Sequence, residues 1–238
     1  MSPFLERNLA RALALALMLG ETIIRRTARD GRRVFFDSAQ MPWTAPIESH
    51  WREVRAELDG VLVDRDRIPT FQEVSRYQES ITNDQGWKTF VLFVYGTAIE
   101  RNCRRCPRTA ELLRGIPGLR NAMFSILAPG KHIPEHRGPY NGLLRYHLAL
   151  KVPADAANCV LTVNGEERLW VEGGTLVFDD SYSHSVRNDT PEDRVVLFAD
   201  FVRPLPQPLA LMNRGLLAAL GRSTLFREPL AAFERGEL

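Results

Sequence analysis

Cysteine is scarce in this 238-residue chain, which contains only Cys103, Cys106 and Cys159. Three cysteines cannot build the disulfide scaffold of a secreted protein of this length, so a reducing compartment is expected. The Cys103-Arg-Arg-Cys106 stretch has the spacing of half a zinc site. No second pair accompanies it and its two arginines disfavour a cation, so the sequence argues against zinc there.

The chain also lacks a long apolar run. Residues 12–20 are uninterrupted, but Arg11 and Glu21 bound them, and the run falls short of the roughly 20 residues that span a bilayer. The start is basic, yet no small-residue cleavage site precedes the next arginines, so a signal peptide is not favoured.

An excess of one charge is lacking as well, because the net charge is only +2. Seven arginines and three acids give residues 1–33 a charge of +4; residues 203–238 carry +2, which leaves the middle at −4. Basic ends around an acidic body argue against nucleic-acid binding and for contact of the ends with an anionic surface. The hydrophobic share of 45% is that of a globular protein with a sizeable core.

The sequences at both ends of the chain predict amphipathic helices. A helical projection of the first separates Arg7, Arg11, Glu21, Thr22, Arg25 and Arg29 from Leu9, Leu13, Ala16, Leu17, Ile23 and Ile24. Such a helix either lies in a membrane interface or packs on the protein's own core, and both interpretations stay open. A second apolar helix is predicted over residues 209–220. We therefore expect an N-terminal helical segment (1–40), a central domain (41–204) and a C-terminal helical tail (205–238).

The sequence of the central domain predicts mostly short strands and a few helices. Helices are expected over residues 47–63 and 107–113, with an irregular stretch at 68–85. Strands are expected at 87–96, 122–127, 143–151, 159–163, 166–171, 175–179 and 194–202. Asn164-Gly165 is a strong hairpin signal. This spacing predicts a mainly β fold with flanking helices, a double-stranded β-helix or jelly roll.

The strand at residues 143–151 has two unlike faces. Leu144, Tyr146, Leu148 and Leu150 share one face, whereas Arg145 and His147 lie on the other, because side chains alternate along a strand. Unpaired buried charge is costly, so the face with Arg145 and His147 is expected to border a polar cavity.

Histidine is also rare, and two of the five are placed like ligands. His136 precedes the turn Gly138-Pro-Tyr-Asn-Gly142, and His184 follows the strand predicted at 175–179. Imidazole binds Fe(II), Mn(II) and Zn(II), so this pair is a candidate metal site. A structural role for each histidine is the alternative.

Several motifs together resemble the aspartyl/asparaginyl β-hydroxylase family of Fe(II)- and 2-oxoglutarate-dependent oxygenases, with the bacterial lipid A hydroxylases as the nearest branch. The resemblance runs from about Trp87 to Pro204 and is carried by Gly-Trp87-Lys-Thr-Phe, Cys106-Pro-Arg-Thr, Ser125-Ile-Leu-Ala-Pro-Gly, His136-x-Gly-Pro-Tyr-x-Gly-x-Leu-Arg-Tyr-His147, Phe178-Asp-Asp-Ser-Tyr-x-His184 and Arg194-Val-Val-Leu-Phe. It implies a dioxygenase that uses Fe(II), 2-oxoglutarate and O2 to hydroxylate a C–H bond.

The resemblance also implies roles for individual residues. His136 and His184 become the iron ligands, and Asp180 a candidate for holding a metal-bound water. Ser125 and Arg194 are assigned to the distal carboxylate of 2-oxoglutarate, and Arg145 and His147 to its metal-proximal end, because arginine binds carboxylates bidentately. A structural ion pair with Asp179, Asp200 or a glutamate is the alternative for each arginine.

Many related oxygenases carry a carboxylate two residues after the first histidine, where this chain has Gly138. That glycine is shared with the aspartyl and asparaginyl hydroxylases, so a peptidyl substrate stays open. The basic amphipathic ends instead favour a lipid acyl chain of lipid A or ornithine-lipid type. We expect a cytoplasmic enzyme with peripheral contact on the inner face of the membrane. A metal-binding jelly roll without oxygenase activity is the non-enzyme alternative.

Overall fold

The computed structural model describes residues 3–74, 81–222, 230–233 and 235, and the side chains of residues 3–7 and 9 lie outside this description. The predicted positions of Arg7 and Leu9, and part of the tail at 205–238, therefore lie outside the described residues. The helices are α1 Pro3–Thr27, α2 Thr44–Ser49, α3 Trp51–Leu62, α4 Phe71–Val74, α5 Glu100–Arg105, α6 Pro107–Arg114 and α7 Leu209–Gly221.

The strands form two antiparallel sheets. They are β1 Phe35–Phe36, β2 Trp87–Val94, β3 Thr97–Ala98, β4 Leu119–Leu127, β5 His132–His136, β6 Leu143–Lys151, β7 Cys159–Val163, β8 Glu166–Leu169, β9 Thr175–Phe178, β10 His184–Asn188 and β11 Arg194–Val202. In the described chain, the larger sheet has the order β1-β9-β6-β11-β4-β2-β3 and the smaller one β5-β10-β7-β8.

The larger sheet is covered on both faces. Its outer face packs Tyr146 and Leu148 against apolar residues of α2, α3 and α6, such as Leu58 and Leu113. Its inner face meets the smaller sheet through a second apolar cluster that includes Leu161. Two facing sheets with helices on one side confirm the predicted jelly roll with flanking helices.

Strand β6 has the two faces that its sequence predicts. Leu144, Tyr146, Leu148 and Leu150 all belong to the outer cluster, which leaves Arg145 and His147 on the side of the smaller sheet. The hairpin prediction is confirmed too: β7 pairs with β8, and Asn164 (φ 51°) and Gly165 (φ 79°) both adopt the left-handed conformation of a tight turn.

The terminal helices α1 and α7 pack against each other. Ile24, Leu217 and Leu220 are buried with Tyr140, and Leu13 and Leu17 pack against them. Further around α1, however, the apolar side chains of Leu15, Met18, Leu19 and Ile23 stay exposed. The helix therefore covers part of the protein with one stripe and presents a second apolar stripe outward. No described helix is both long enough and apolar enough to cross a membrane.

Several local predictions are wrong. The helix expected at 47–63 is two helices with a break at His50, and Pro46 sits in the first turn of α2, where proline is tolerated. The stretch expected to be irregular contains α4, while residues 75–80 lie outside the described part. Strands β5 and β10 are absent from the prediction, because polar residues interrupt the apolar pattern in both sequences, His-Ile-Pro-Glu-His and His-Ser-Val-Arg-Asn.

A buried ion pair fixes the loop after β9. Arg203 Nη1 lies 2.8 Å from Asp179 Oδ2, and both side chains are fully buried. The same guanidinium donates to the carbonyl oxygens of Asp30 and Asn141. The end of β11 is thereby joined to the segment after α1, to the turn before β6 and to the loop before β10.

This pair gives a stability prediction. Asp179→Asn leaves the Arg203 charge buried without a counter-ion, so the free energy of unfolding should fall by about 3–5 kcal/mol, measured by urea denaturation. The control is Asp59→Asn, which breaks the partly exposed pair with Arg55 and should cost less than about 1 kcal/mol. Equal effects of the two substitutions would contradict a structural role for the Asp179–Arg203 pair.

Candidate active site

The two predicted ligand histidines are neighbours in the smaller sheet. β5 ends at His136 and β10 begins at His184, and these residues lie opposite each other in the antiparallel pair. Their ring centroids are 4.1 Å apart. The antiparallel arrangement thus brings together two imidazoles that are distant in the sequence.

Both imidazoles are held in the same tautomer. His136 Nδ1 lies 2.9 Å from the carbonyl oxygen of Pro134, and His184 Nδ1 lies 3.0 Å from that of Tyr182. A carbonyl oxygen only accepts, so each Nδ1 donates and each Nε2 keeps its lone pair. Burial lowers the pKa of His136 and, more strongly, that of His184. Neutral imidazoles with Nε2 available are the form that binds a metal ion.

Asp180 occupies the space that a side chain at position 138 would need. A Cβ atom built on Gly138 would lie closer to the Asp180 carboxylate than van der Waals contact allows, and Gly138 N donates to the Asp180 carbonyl oxygen over 2.8 Å. Burial, helped by Asp200 and Asp179, raises the pKa of Asp180 to about 7 although Arg145 lowers it. A side chain at position 138 would therefore collide with the Asp180 carboxylate, which is paired with Arg145.

Arg145 is already compensated by carboxylates. Its Nη2 lies 2.8 Å from Asp180 Oδ2 and its Nε 2.9 Å from Asp200 Oδ1, while Nη1 is 3.5 Å from His184 Nε2. The guanidinium also lies over the Phe198 ring. The ion-pair alternative that the sequence left open therefore describes the contacts of Arg145.

Arg194 is the opposite case. Its side chain is buried, and its Nε and Nη1 have no hydrogen-bond partner among the described residues. The guanidinium lies 4.7 Å from the centroid of the Trp170 ring, and burial lowers its pKa to about 10. A buried cation without a counter-ion costs several kcal/mol, so this position is suited to an anionic ligand.

Other unpartnered polar atoms are buried in the same layer. His147 Nδ1 lacks a partner in the described chain, as do Thr89 Oγ1 and Trp170 Nε1, and burial together with Arg194 and Arg145 holds the pKa of His147 well below its usual value. Ser125 Oγ accepts from Trp87 Nε1 over 3.0 Å and keeps its own hydrogen to donate.

The structure thus brings together His136 and His184 with Asp180 and Arg145, and it places Ser125, His147 and Arg194 on the inner faces of neighbouring strands. Sequence reasoning missed Trp170, Thr89 and the contact of Trp87 with Ser125. Trp87 lies in a recognised motif, whereas only the tryptophan itself, in a polar strand end, marks position 170. Within the described residues, no group of three or more His, Cys, Asp or Glu side chains is arranged to hold a metal ion.

The smaller sheet thus carries an imidazole pair, and the similarity to proteins named as hydroxylases shows that the protein is an enzyme, a hydroxylase. The chain belongs to the aspartyl/asparaginyl β-hydroxylase family, whose family model matches residues 48–204.

Individual relatives differ in extent. An ornithine lipid ester-linked acyl 2-hydroxylase of Rhizobium tropici is 44% identical over 197 residues, which cover 83% of this chain and 70% of that protein. The human aspartyl/asparaginyl β-hydroxylase is 31% identical over 68% of this chain, but the match spans only 23% of its length. A solved prolyl-4-hydroxylase of Pseudomonas putida is similar with a TM-score of 0.43 and 20% identity, over 65% of this chain and 88% of that one.

The contact between Gly138 and Asp180 gives a second prediction. Gly138→Ala should lower the free energy of unfolding of the metal-free protein by about 1–3 kcal/mol, because the new methyl group overlaps the carboxylate. Adding Asp180→Ala should recover part of that loss, and urea denaturation of the single and double variants measures the coupling.

Gly60→Ala is the matched control, because a Cβ there meets nothing within 4 Å and alanine favours the helix α3. It should leave stability unchanged or raise it slightly. Strictly additive effects at positions 138 and 180 would contradict the close approach.

Proposed function

We propose that the protein is an Fe(II)- and 2-oxoglutarate-dependent dioxygenase, with O2 as co-substrate, that hydroxylates an unactivated C–H bond. His136 and His184 would hold the iron through Nε2, because each Nδ1 donates to a backbone carbonyl oxygen; the iron would replace the 3.5 Å contact of Arg145 Nη1 with His184 Nε2. O2 would be the oxidant: the bound iron would activate it, and oxidation of 2-oxoglutarate to succinate and CO2 together with oxidation of the C–H bond would supply the electrons. The family membership supports this chemistry.

The proposal depends mainly on Arg194, whose buried Nε and Nη1 have no hydrogen-bond partner among the described residues. A buried cation persists when a ligand of opposite charge completes it, and the distal carboxylate of 2-oxoglutarate has the right charge and planar shape. Ser125 Oγ donates to the same carboxylate in this proposal, because Ser125 and Arg194 lie on neighbouring strands with inward side chains. The Trp170 ring shields the guanidinium from water.

Arg145 and His147 are proposed to serve the metal-proximal end of 2-oxoglutarate. His147 Nδ1 is unpartnered within the described residues and offers a polar contact in an apolar setting. Arg145 also fixes the Asp180 carboxylate at 2.8 Å, so it has a second role in orienting Asp180. Burial raises the pKa of Asp180 although Arg145 lowers it, and we assign this carboxyl group to the positioning of water beside the histidines.

A lipid acyl chain is the proposed substrate, of ornithine-lipid or lipid A type. The Rhizobium tropici relative acts on an ornithine lipid by its name, and α1 exposes apolar side chains next to arginines, as a peripheral membrane contact requires. We propose residues 41–204 as the catalytic domain, and segments 1–40 and 205–238, which contain α1 and α7, as the parts that contact the inner face of the membrane.

The role of Arg194 can be separated from that of a structural arginine. Arg194→Met should weaken 2-oxoglutarate binding by about two orders of magnitude, because a charge-assisted contact is lost, measured by calorimetry with Mn(II) in place of iron. The free energy of unfolding of this variant should stay the same or increase, because the substitution removes a buried charge that has no counter-ion among the described residues. Arg203→Met leaves the buried Asp179 carboxylate without its counter-ion, so its free energy of unfolding should instead decrease. Wild-type affinity in Arg194→Met would contradict the proposal.

The substrate class is tested by turnover. After anaerobic reconstitution with Fe(II), the wild-type protein should form succinate from 2-oxoglutarate when O2 and ornithine-lipid extract are supplied, and mass spectrometry should find one added oxygen on an acyl chain. His184→Ala should lose this turnover, while His132→Ala, an exposed histidine paired with Asp189, should retain it. Hydroxylation of an aspartyl or asparaginyl peptide, but not of lipid, would favour the alternative substrate class.

A further inference from the structure

The C-terminal half of α1 lies directly on the loops that carry the two histidines. Arg25 Nη2 donates to Ser181 Oγ over 2.9 Å, and its guanidinium lies 4.1 Å from the centroid of the Tyr182 ring. Glu21 accepts from Arg137 over 2.9 Å. Arg137 follows His136 in the chain, and Tyr182 precedes His184 by two residues. Helix α1 therefore contacts residues next to both histidines.

A surface cavity opens at this contact. Its volume is about 290 Å³, and it is lined by Thr22, Arg25, Arg26, Arg32 and Tyr182. The Tyr182 hydroxyl donates to the Arg32 carbonyl oxygen over 3.1 Å, which joins the far wall of the cavity to the site loop. Hydrogen bonds thus join the loop at Ser181 and Tyr182 both to α1 and to the Arg32 backbone.

The charge of this cavity is positive. Glu21 balances Arg25 at 2.9 Å, whereas Arg26 and Arg32 are exposed and form no ion pair with any residue that the structure describes. Thr22 adds a hydroxyl group, although it already donates to the Met18 carbonyl oxygen. Two uncompensated guanidinium groups beside a tyrosine make a site for a phosphate or carboxylate group.

The apolar stripe of α1 begins next to the cavity. Leu15, Met18, Leu19 and Ile23 are 40–66% exposed, and Arg26 continues the same side of the helix toward its C-terminal end. At 1.5 Å per residue, Leu15 and Arg26 are roughly 16 Å apart along the axis. An apolar strip of this length that ends in arginines matches the boundary between acyl chains and headgroups of an anionic bilayer.

We propose that the cavity lined by Arg25, Arg26 and Arg32 binds the anionic headgroup of a membrane lipid, while the apolar stripe of α1 enters the bilayer surface beside it. The inference rests on the lipid substrate proposed above and deepens it. Because Tyr182 lines the cavity and lies two residues before His184, a headgroup bound there would lie beside the loop that leads to His184.

The test measures binding of the full chain to vesicles of phosphatidylcholine with and without phosphatidylglycerol. Arg26→Ala together with Arg32→Ala should weaken sedimentation with the anionic vesicles by about 25-fold, about fivefold for each arginine near an anionic surface. Arg101→Ala together with Arg104→Ala is the control, because it removes the same charge from the exposed side of α5. If both double variants lose the same amount of vesicle binding, the loss reflects net charge alone, and the proposed headgroup site is wrong.

A free anion is the other source of the same chemistry. Inorganic phosphate is therefore titrated against both proteins by calorimetry. If phosphate binds the wild type and not the Arg26/Arg32 variant, while vesicle binding is equal in the two, the cavity serves a soluble anion and the lipid assignment is wrong.

The apolar stripe is followed separately. Met18→Cys can be labelled with a polarity-sensitive dye, because the three native cysteines are buried. Its emission should shift to the blue on addition of anionic vesicles, and that of dye on the exposed control position Glu100→Cys should not. No shift at position 18 would overturn the bilayer contact.

These measurements need neither iron nor 2-oxoglutarate. A protein that binds anionic vesicles through Arg26 and Arg32 but fails to bind 2-oxoglutarate would refute the oxygenase proposal and leave the lipid site standing. The reverse result would refute the lipid site and leave the oxygenase.

Discussion

The buried pair of Arg203 and Asp179 connects the segments around the candidate site. One guanidinium reaches the carboxylate of Asp179 and the carbonyl oxygens of Asp30 and Asn141. Asp179 also accepts from the backbone and hydroxyl of Ser181, which shapes the loop toward His184. The positions of Asp180, His184 and the C-terminal end of α1 therefore depend on a single charge that is removed from water.

Two buried arginines in one β-strand layer show how the same side chain serves different ends. Arg203 is fully buried and paired with Asp179, so its desolvation is largely offset inside the protein, although its Nε has no partner among the described residues. Arg194 is equally buried, yet two of its nitrogens lack a partner in the described chain. A fold that keeps such a charge gives up stability at that point, which is typical of sites built for a ligand.

The sequence predicted what depends on local periodicity and missed what depends on distant contacts. The alternation in β6 placed Arg145 and His147 on the inner face, and Asn164-Gly165 located a hairpin. The short strands that carry His136 and His184 have no clear apolar alternation in their sequences. They are defined by their pairing with each other, which the sequence does not show. Nor could the sequence show that Asp180 fills the space above Gly138, since that approach is set by the loop after β9.

The pairing of β5 with β10 has a consequence for folding. His136 and His184 meet in one register, and a shift follows between His184 and Val186. A slip of one residue would turn one imidazole to the opposite face of the sheet, and the irregularity after His184 opposes such a slip. The two rings can meet only in a chain whose smaller sheet has closed correctly, so capture of a metal ion by them would report that the newly made protein has reached its native topology.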